Sequence, residues 1–263
     1  MFKDIQVTLY DIFGYLFPGA VLLLALGIFY WLAFWSDKPL VIWTDLTGTS
    51  ATVLTFASYL LGHLAQALGN LLEKLLKRMF DAARKYSQGA SRSRSPFGEL
   101  GAYLLRIVFP VCRQFDKETL AGAALYRLAT EKAQRHFAIS GQDLNADEWY
   151  DLCDQALVHA NSLGDREIFT YREGFYRGNF VAVGLLAVSV FVSAFRAPLL
   201  LYAFDSPFPV GRGPVLLTAA LLGVFAWLLA VRWVRFIRHK VTSCFSRFLA
   251  AFPGESATTG KME

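Results

Sequence analysis

Four long stretches of this chain carry no charge, and that feature limits its possible folds more than any other. Ile12 to Ser36 is uncharged, and its core reads AVLLLALGIFYWLAFW over residues 20–35. Leu46 to Leu72, Asn179 to Phe195 and Gly213 to Val231 are the other three. A helix rises about 1.5 Å per residue, so roughly 20 apolar residues are needed to cross the hydrocarbon core. The first two runs exceed that length, the fourth meets it, and the third lies near the lower limit. A single apolar run could be a buried helix of a soluble core. Four in one chain predict a multi-span membrane protein. Composition agrees: apolar residues make up 55% and charged residues 18%, whereas soluble domains are about a quarter charged. The first run is too long for the apolar segment of a signal peptide and no small-residue cleavage site follows it, so it is expected to remain as a span.

Basic residues set the orientation, because Lys and Arg accumulate on the cytoplasmic side of spanning helices. The loop after the first run holds only Lys38, and the loop between the last two runs holds Arg196 and Arg212. The second run is followed by Lys74, Lys77, Arg78, Arg84, Lys85, Arg92 and Arg94, and the fourth by Arg232, Arg235, Arg238, Lys240 and Arg247. Both termini and the central region are therefore expected in the cytoplasm of a bacterial cell, with the spans in its inner membrane. Cys112, Cys153 and Cys244 all fall in the regions assigned to that side, where thiols stay reduced. Their spacing matches no metal site.

The expected fold class is all-α: four transmembrane helices with a central cytoplasmic helical domain inserted between spans 2 and 3. The predicted division is 1–72 for the first helix pair, 73–177 for the central domain, 178–231 for the second pair, and 232–263 for a basic juxtamembrane helix and tail. A short interfacial turn is expected over Thr8 to Phe17, before Pro18 and Gly19, which suit the start of a helix. The second span should continue as a helix to a polar, basic loop at 88–96 that ends in Pro96. Helices are expected over Leu100 to Phe115 and Glu118 to Phe137. Another is expected from Asn145, a cap residue followed three places later by Glu148, to about Asn161. Asp165 to Arg177 should feed directly into the third span. No segment alternates over enough residues to predict a strand. Phe236, Phe245 and Phe248 are available for the lipid boundary, and the chain from Pro253 is expected to be disordered.

The second span carries the most informative polar groups. Tyr59, His63, Gln66 and Asn70 lie at i, i+4, i+7 and i+11, on one helical stripe. Ser58, Gly62, Ala65 and Gly69 form a parallel stripe of small residues, which permits close helix approach. Polar groups at membrane depth face protein or water, not acyl chains. The polar stripe therefore either lines a pore or bonds the helix to its neighbours. In the fourth span Ala219, Gly223, Ala226 and Ala230 repeat the small-residue device and are expected to pack helices. None of the four runs holds an ionisable Asp, Glu, Lys or Arg near its centre, which argues against a proton pump or voltage sensor.

No P-loop, dinucleotide fingerprint, H-E-x-x-H, G-x-S-x-G or C-x-x-C occurs. No enzyme activity, metal or cofactor is expected. Cys112 with His136, and Cys153 with His159, could be imagined as nucleophile and base, but such pairs arise by chance. Asp147, Asp151 and Asp154 share a helix face that is either solvated or cation-binding, with a solvated face expected. Arg84, Lys85, Arg92 and Arg94 either bind an anion or lipid headgroup, or simply mark the cytoplasmic side.

The opening Tyr10-Asp11-Ile12-Phe13-Gly14-Tyr15-Leu16-Phe17-Pro18-Gly19, with Tyr59-Leu60-Leu61-Gly62-His63, resembles a loose group of bacterial membrane proteins. These share a D-x-F-G-Y-L-x-P-G opening and a Y-x-x-G-H helix, and some belong to anti-phage defence modules. The resemblance covers about the first seventy residues. It implies a membrane effector whose spans assemble into a pore and whose cytoplasmic domain receives a signal. The expected function is thus an oligomeric inner-membrane pore or channel gated through its cytoplasmic domain, the alternative being a non-conducting scaffold that docks a soluble partner. The partners implied are membrane lipid, further copies of the chain, and a nucleotide or oligonucleotide signal or a soluble protein.

Overall fold

The computed structural model describes residues 12–34, 40–41, 48–89, 117–139, 144–162, 166–195, 199–203 and 206–252. A π-helical turn, Ile12–Leu16, leads into α1 (Phe17–Phe34). β1 (Leu40–Val41), α2 (Gly48–Gly89), α3 (Lys117–Ala121), α4 (Ala123–His136) and α5 (Ala146–His159) follow. The chain continues with α6 (Arg166–Ser193), β2 (Leu199–Ala203), β3 (Ser206–Val210) and α7 (Arg212–Ala251). The class is all-α, as expected. Four segments are long and apolar enough to cross a membrane: Gly14–Phe34, Gly48–Leu75, Ile168–Ser193 and Arg212–Ala251. The third run, short by itself, belongs to the 28-residue helix α6, and the predicted helix before it does feed into it without a break. The second run likewise continues through 42 residues to Gly89.

The chain divides into two compact units, one of residues 1–75 and 174–233, the other of residues 76–173 and 234–263. In the first unit, small residues bring helices together. Leu22 of α1, Ala65 of α2 and Ala182 of α6 form one fully packed cluster. Ala25, Ile28, Trp31 and Leu32 of α1 meet Leu186 of α6, Ala194 just past its end, and Val215 of α7. Val183 of α6 packs on Ala226 and Leu229 of α7. Many of the largest apolar side chains point the other way: Phe34, Phe56, Leu71, Phe195, Leu217 and Leu221 are all exposed. That inversion suits a protein whose solvent is lipid, because turning these groups inward would gain nothing over acyl chains. A small sheet, unforeseen in the sequence, adds to this unit. β1 pairs parallel with β2, and β2 antiparallel with β3, with Leu201 opposite Phe208. Pro207 and Pro209 alternate along β3, so both missing N–H groups fall on one side of the strand and leave the donors facing β2 intact.

The second unit is built on a conventional core. Leu120, Ala129, Ala133, Trp149, Cys153 and Leu157 are buried together with Val241, Cys244, Phe245 and Phe248 of α7. The single helix expected from Glu118 to Phe137 is in fact two, because Gly122 adopts φ 85°, a left-handed conformation that ends α3 and redirects the chain. Asn145 forms the predicted capping box: its side chain accepts from the N–H groups of Asp147 and Glu148 at 3.0 Å each, and its own N–H donates to Glu148 Oε2 at 2.7 Å. Phe245 and Phe248 are not at a lipid boundary. Both are fully buried, and the rings of Tyr126 and Tyr150 stand edge-on to Phe245 at 5.8 and 6.0 Å. A helix face that packs a core and one that lies on lipid share the same apolar spacing, which is why the two were confused. The tail to Phe252 therefore belongs with the central residues and is not a separate piece. Lys132 secures its end by donating to the Leu249 carbonyl, one of the α7 carbonyls without a helical partner. The loop expected at 88–96 begins within α2, and the rest of it, the helix expected over Leu100 to Phe115, and the chain beyond Phe252 lie outside the described residues.

Candidate functional site

The turn before α1 and the Tyr59–His63 segment of α2 are in contact. Pro18 has no N–H, so it cannot give the Gly14 carbonyl its helical hydrogen bond. That carbonyl instead turns toward α2, where Gln66 Nε2 donates to it at 3.4 Å. The next residue, Tyr15, stacks its ring on His63 at 4.1 Å and stands edge-on to Tyr59 at 6.0 Å. Tyr59 in turn meets His63 edge-on at 4.9 Å. Backbone approaches backbone here, and glycine makes it possible. A Cβ on Gly62 would overlap the Tyr15 carbonyl oxygen, and one on Gly19 would overlap the carbonyl oxygen of Ser58, itself buried. Ser58, Gly62 and Gly69 therefore pack helices, as predicted, but they do so within one chain. A Cβ on Gly69 would come within 2.6 Å of the Arg177 side chain of α6.

The polar stripe divides along its length. Gln66 is half-buried and also donates to the Gly174 carbonyl of α6 at 2.6 Å, so it bonds three helical segments together. Its Oε1 accepts no hydrogen bond among the described residues. Below it, Arg177 reaches back to Glu73 of α2 at 3.2 Å. Tyr59, His63 and Asn70 instead lie on the exposed face of α2. Among the described residues of a single chain they line no interior path. One of the two alternatives thus holds for Gln66, and the outward three face whatever surrounds the chain.

The remaining candidates fall as follows. Ala219 is buried against the bundle, but Gly223 is exposed and a Cβ there would meet nothing within 4 Å, so it packs on no helix among the described residues. Arg84 and Lys85 stand in the last turns of α2, and nothing further is described of their side chains; Arg92 and Arg94 lie outside the described residues, as does Cys112. Two acids of the α5 face are met by a lysine: Lys117 lies 3.3 Å from Asp147 and 3.6 Å from Asp151, over the Tyr150 ring. Burial, with help from the Asp154 charge, pushes the Cys153 thiol up to about 12, so it stays protonated and makes a poor nucleophile.

Two interactions had no sequence signal beyond residue type. Glu173 of α6, almost fully buried, pairs with Lys240 of α7 at 2.5 Å. Asn179, also buried, donates to the Phe175 carbonyl at 2.8 Å. Both lie at the polar end of the third apolar run, where Glu173, Arg177 and Asn179 cluster in the sequence. The cluster was visible, but the partner helices were not. The chain matches no described protein family, no curated protein and no solved structure.

Proposed function

We propose that this chain is one subunit of a homo-oligomeric pore in a bacterial inner membrane, an effector opened through its cytoplasmic domain. The observation that carries this is the surface of α2. Only 17% of its membrane segment is buried within the chain, the least of the four. Yet that helix exposes Tyr59, His63 and Asn70. Polar side chains at membrane depth are unfavourable against acyl chains and are expected to meet protein or water. A ring of copies that turn α2 toward a common axis supplies both. Termini and central residues on the cytoplasmic side follow from the basic residues after the second and fourth spans. The unbroken run of α2 from Gly48 to Gly89 offers a continuous element through which a signal received outside the membrane could act. The resemblance of the opening motif and the Tyr59–His63 segment supports a role in anti-phage defence, with a nucleotide, an oligonucleotide or a soluble protein as the activating partner.

A photo-crosslinking residue at position 63 or 70 tests the assembly. Irradiation in native membranes should give covalent adducts between copies of the chain. The same probe at the exposed position 217 of α7 should give chiefly lipid adducts. Lipid adducts alone at positions 63 and 70 would rule out an α2 interface.

A further inference from the structure

Several cations of the chain are matched to carboxylates: Lys117 to Asp147 and Asp151, Arg177 to Glu73, and Lys240 to Glu173. A group on α6 and α7 is different. Arg235 and Arg238 are exposed, and among the described residues neither pairs with a carboxylate. Arg235 Nε lies 3.5 Å from His239 Nε2, an interaction that orients the guanidinium and leaves its terminal nitrogens free to donate elsewhere. His239 is itself held by stacking on Phe169 of α6 at 5.8 Å, and the Arg172 guanidinium lies 5.8 Å over the Phe236 ring. Glu173 of α6 pairs with Lys240. The result is a patch built on Arg235 and Arg238, steadied by aromatic rings, whose two guanidinium groups meet no carboxylate among the described residues.

We propose that this patch binds the phosphate of an anionic lipid headgroup. An arginine fork matches two phosphate oxygens at once. Position selects lipid as the source. Arg235 follows Val231, the last residue of the fourth uncharged run, by four residues of one continuous helix, about 6 Å of rise. That distance reaches from the edge of the hydrocarbon to the headgroup layer. Lipid binding at the patch does not depend on pore formation.

The test uses the full chain, reconstituted in nanodiscs of phosphatidylcholine containing phosphatidylglycerol, with retained lipid counted after extraction into mild detergent. The wild type should retain phosphatidylglycerol in preference to phosphatidylcholine. Arg235→Gln with Arg238→Gln should lower that preference by about fivefold per arginine removed. Arg235→Lys with Arg238→Lys, which keeps the charge but loses the fork, should fall between the two. Millimolar inorganic phosphate should not displace the lipid. No preference in the wild type, an unchanged preference in the Gln variant, or displacement by free phosphate would overturn the proposal. So would loss of helical signal in the Gln variant, because exposed ligand-binding arginines are dispensable for folding.

Discussion

Gly62→Ala, the addition of one methyl group to a membrane helix, is expected to cost about 3 kcal/mol, at the upper end of what overpacking usually does. The added Cβ would fall on the Tyr15 carbonyl oxygen, a backbone atom that cannot swing aside as a side-chain tip could. Relief requires α2 to move away from the π-helical turn. That movement would also weaken the Tyr15–His63 stack and the long Gln66–Gly14 hydrogen bond. The expected result is a lowered Tm in detergent and an altered near-ultraviolet tyrosine signal. Gly223→Ala is the internal control: its new methyl group meets nothing within 4 Å, and alanine is the better helix former by about 1 kcal/mol. If both variants melt alike, the close approach of Gly62 and Tyr15 is wrong.

Lys240→Met is expected to be the most damaging change in the second unit. Glu173 has a side chain only 6% exposed, and Lys240 is 22% exposed. Removing the ammonium takes the lysine's charge away from a buried carboxylate, and breaking a buried ion pair typically costs about 3–5 kcal/mol. In a chain of this size that corresponds to a fall in Tm of roughly 10 °C. Glu173→Gln combined with Lys240→Met removes both charges, and the pair of neutral side chains should recover most of the loss. A double variant no more stable than Lys240→Met would mean that the lysine contributes through packing and not through the carboxylate.

The spans were legible because bilayer thickness imposes a length that few other structures require, and the start of α5 because a capping box has fixed spacing. Other features depended on geometry that local sequence does not encode. Tyr15 and His63 lie far apart in the chain, and no periodicity joins them; only the missing N–H of Pro18 hints that the Gly14 carbonyl needs an outside donor. The polar stripe is visible in the residue spacing, yet its positions span roughly 60° of helix surface, with Gln66 at one edge and His63 at the other. The edge of the bundle runs along that strip, so one member bonds neighbouring helices while three face out. Gly122 was passed over because a glycine can sit inside a helix, and nothing but the observed φ separates that case from a break. Phe245 and Phe248 were assigned to lipid because apolar residues beside arginines are common to membrane surfaces and to amphipathic core helices.

Ion flux through liposomes holding the full chain tests the central claim most directly, with wild type, His63→Leu and Gly223→Ala compared at equal insertion and oligomeric state. The proposal predicts flux in the wild type once the gate is open, no loss in Gly223→Ala, and near-complete loss in His63→Leu, whose apolar side chain would dry the path without disturbing insertion. An inserted, oligomeric wild-type protein that passes no ions under any condition would contradict it and leave a scaffold in its place.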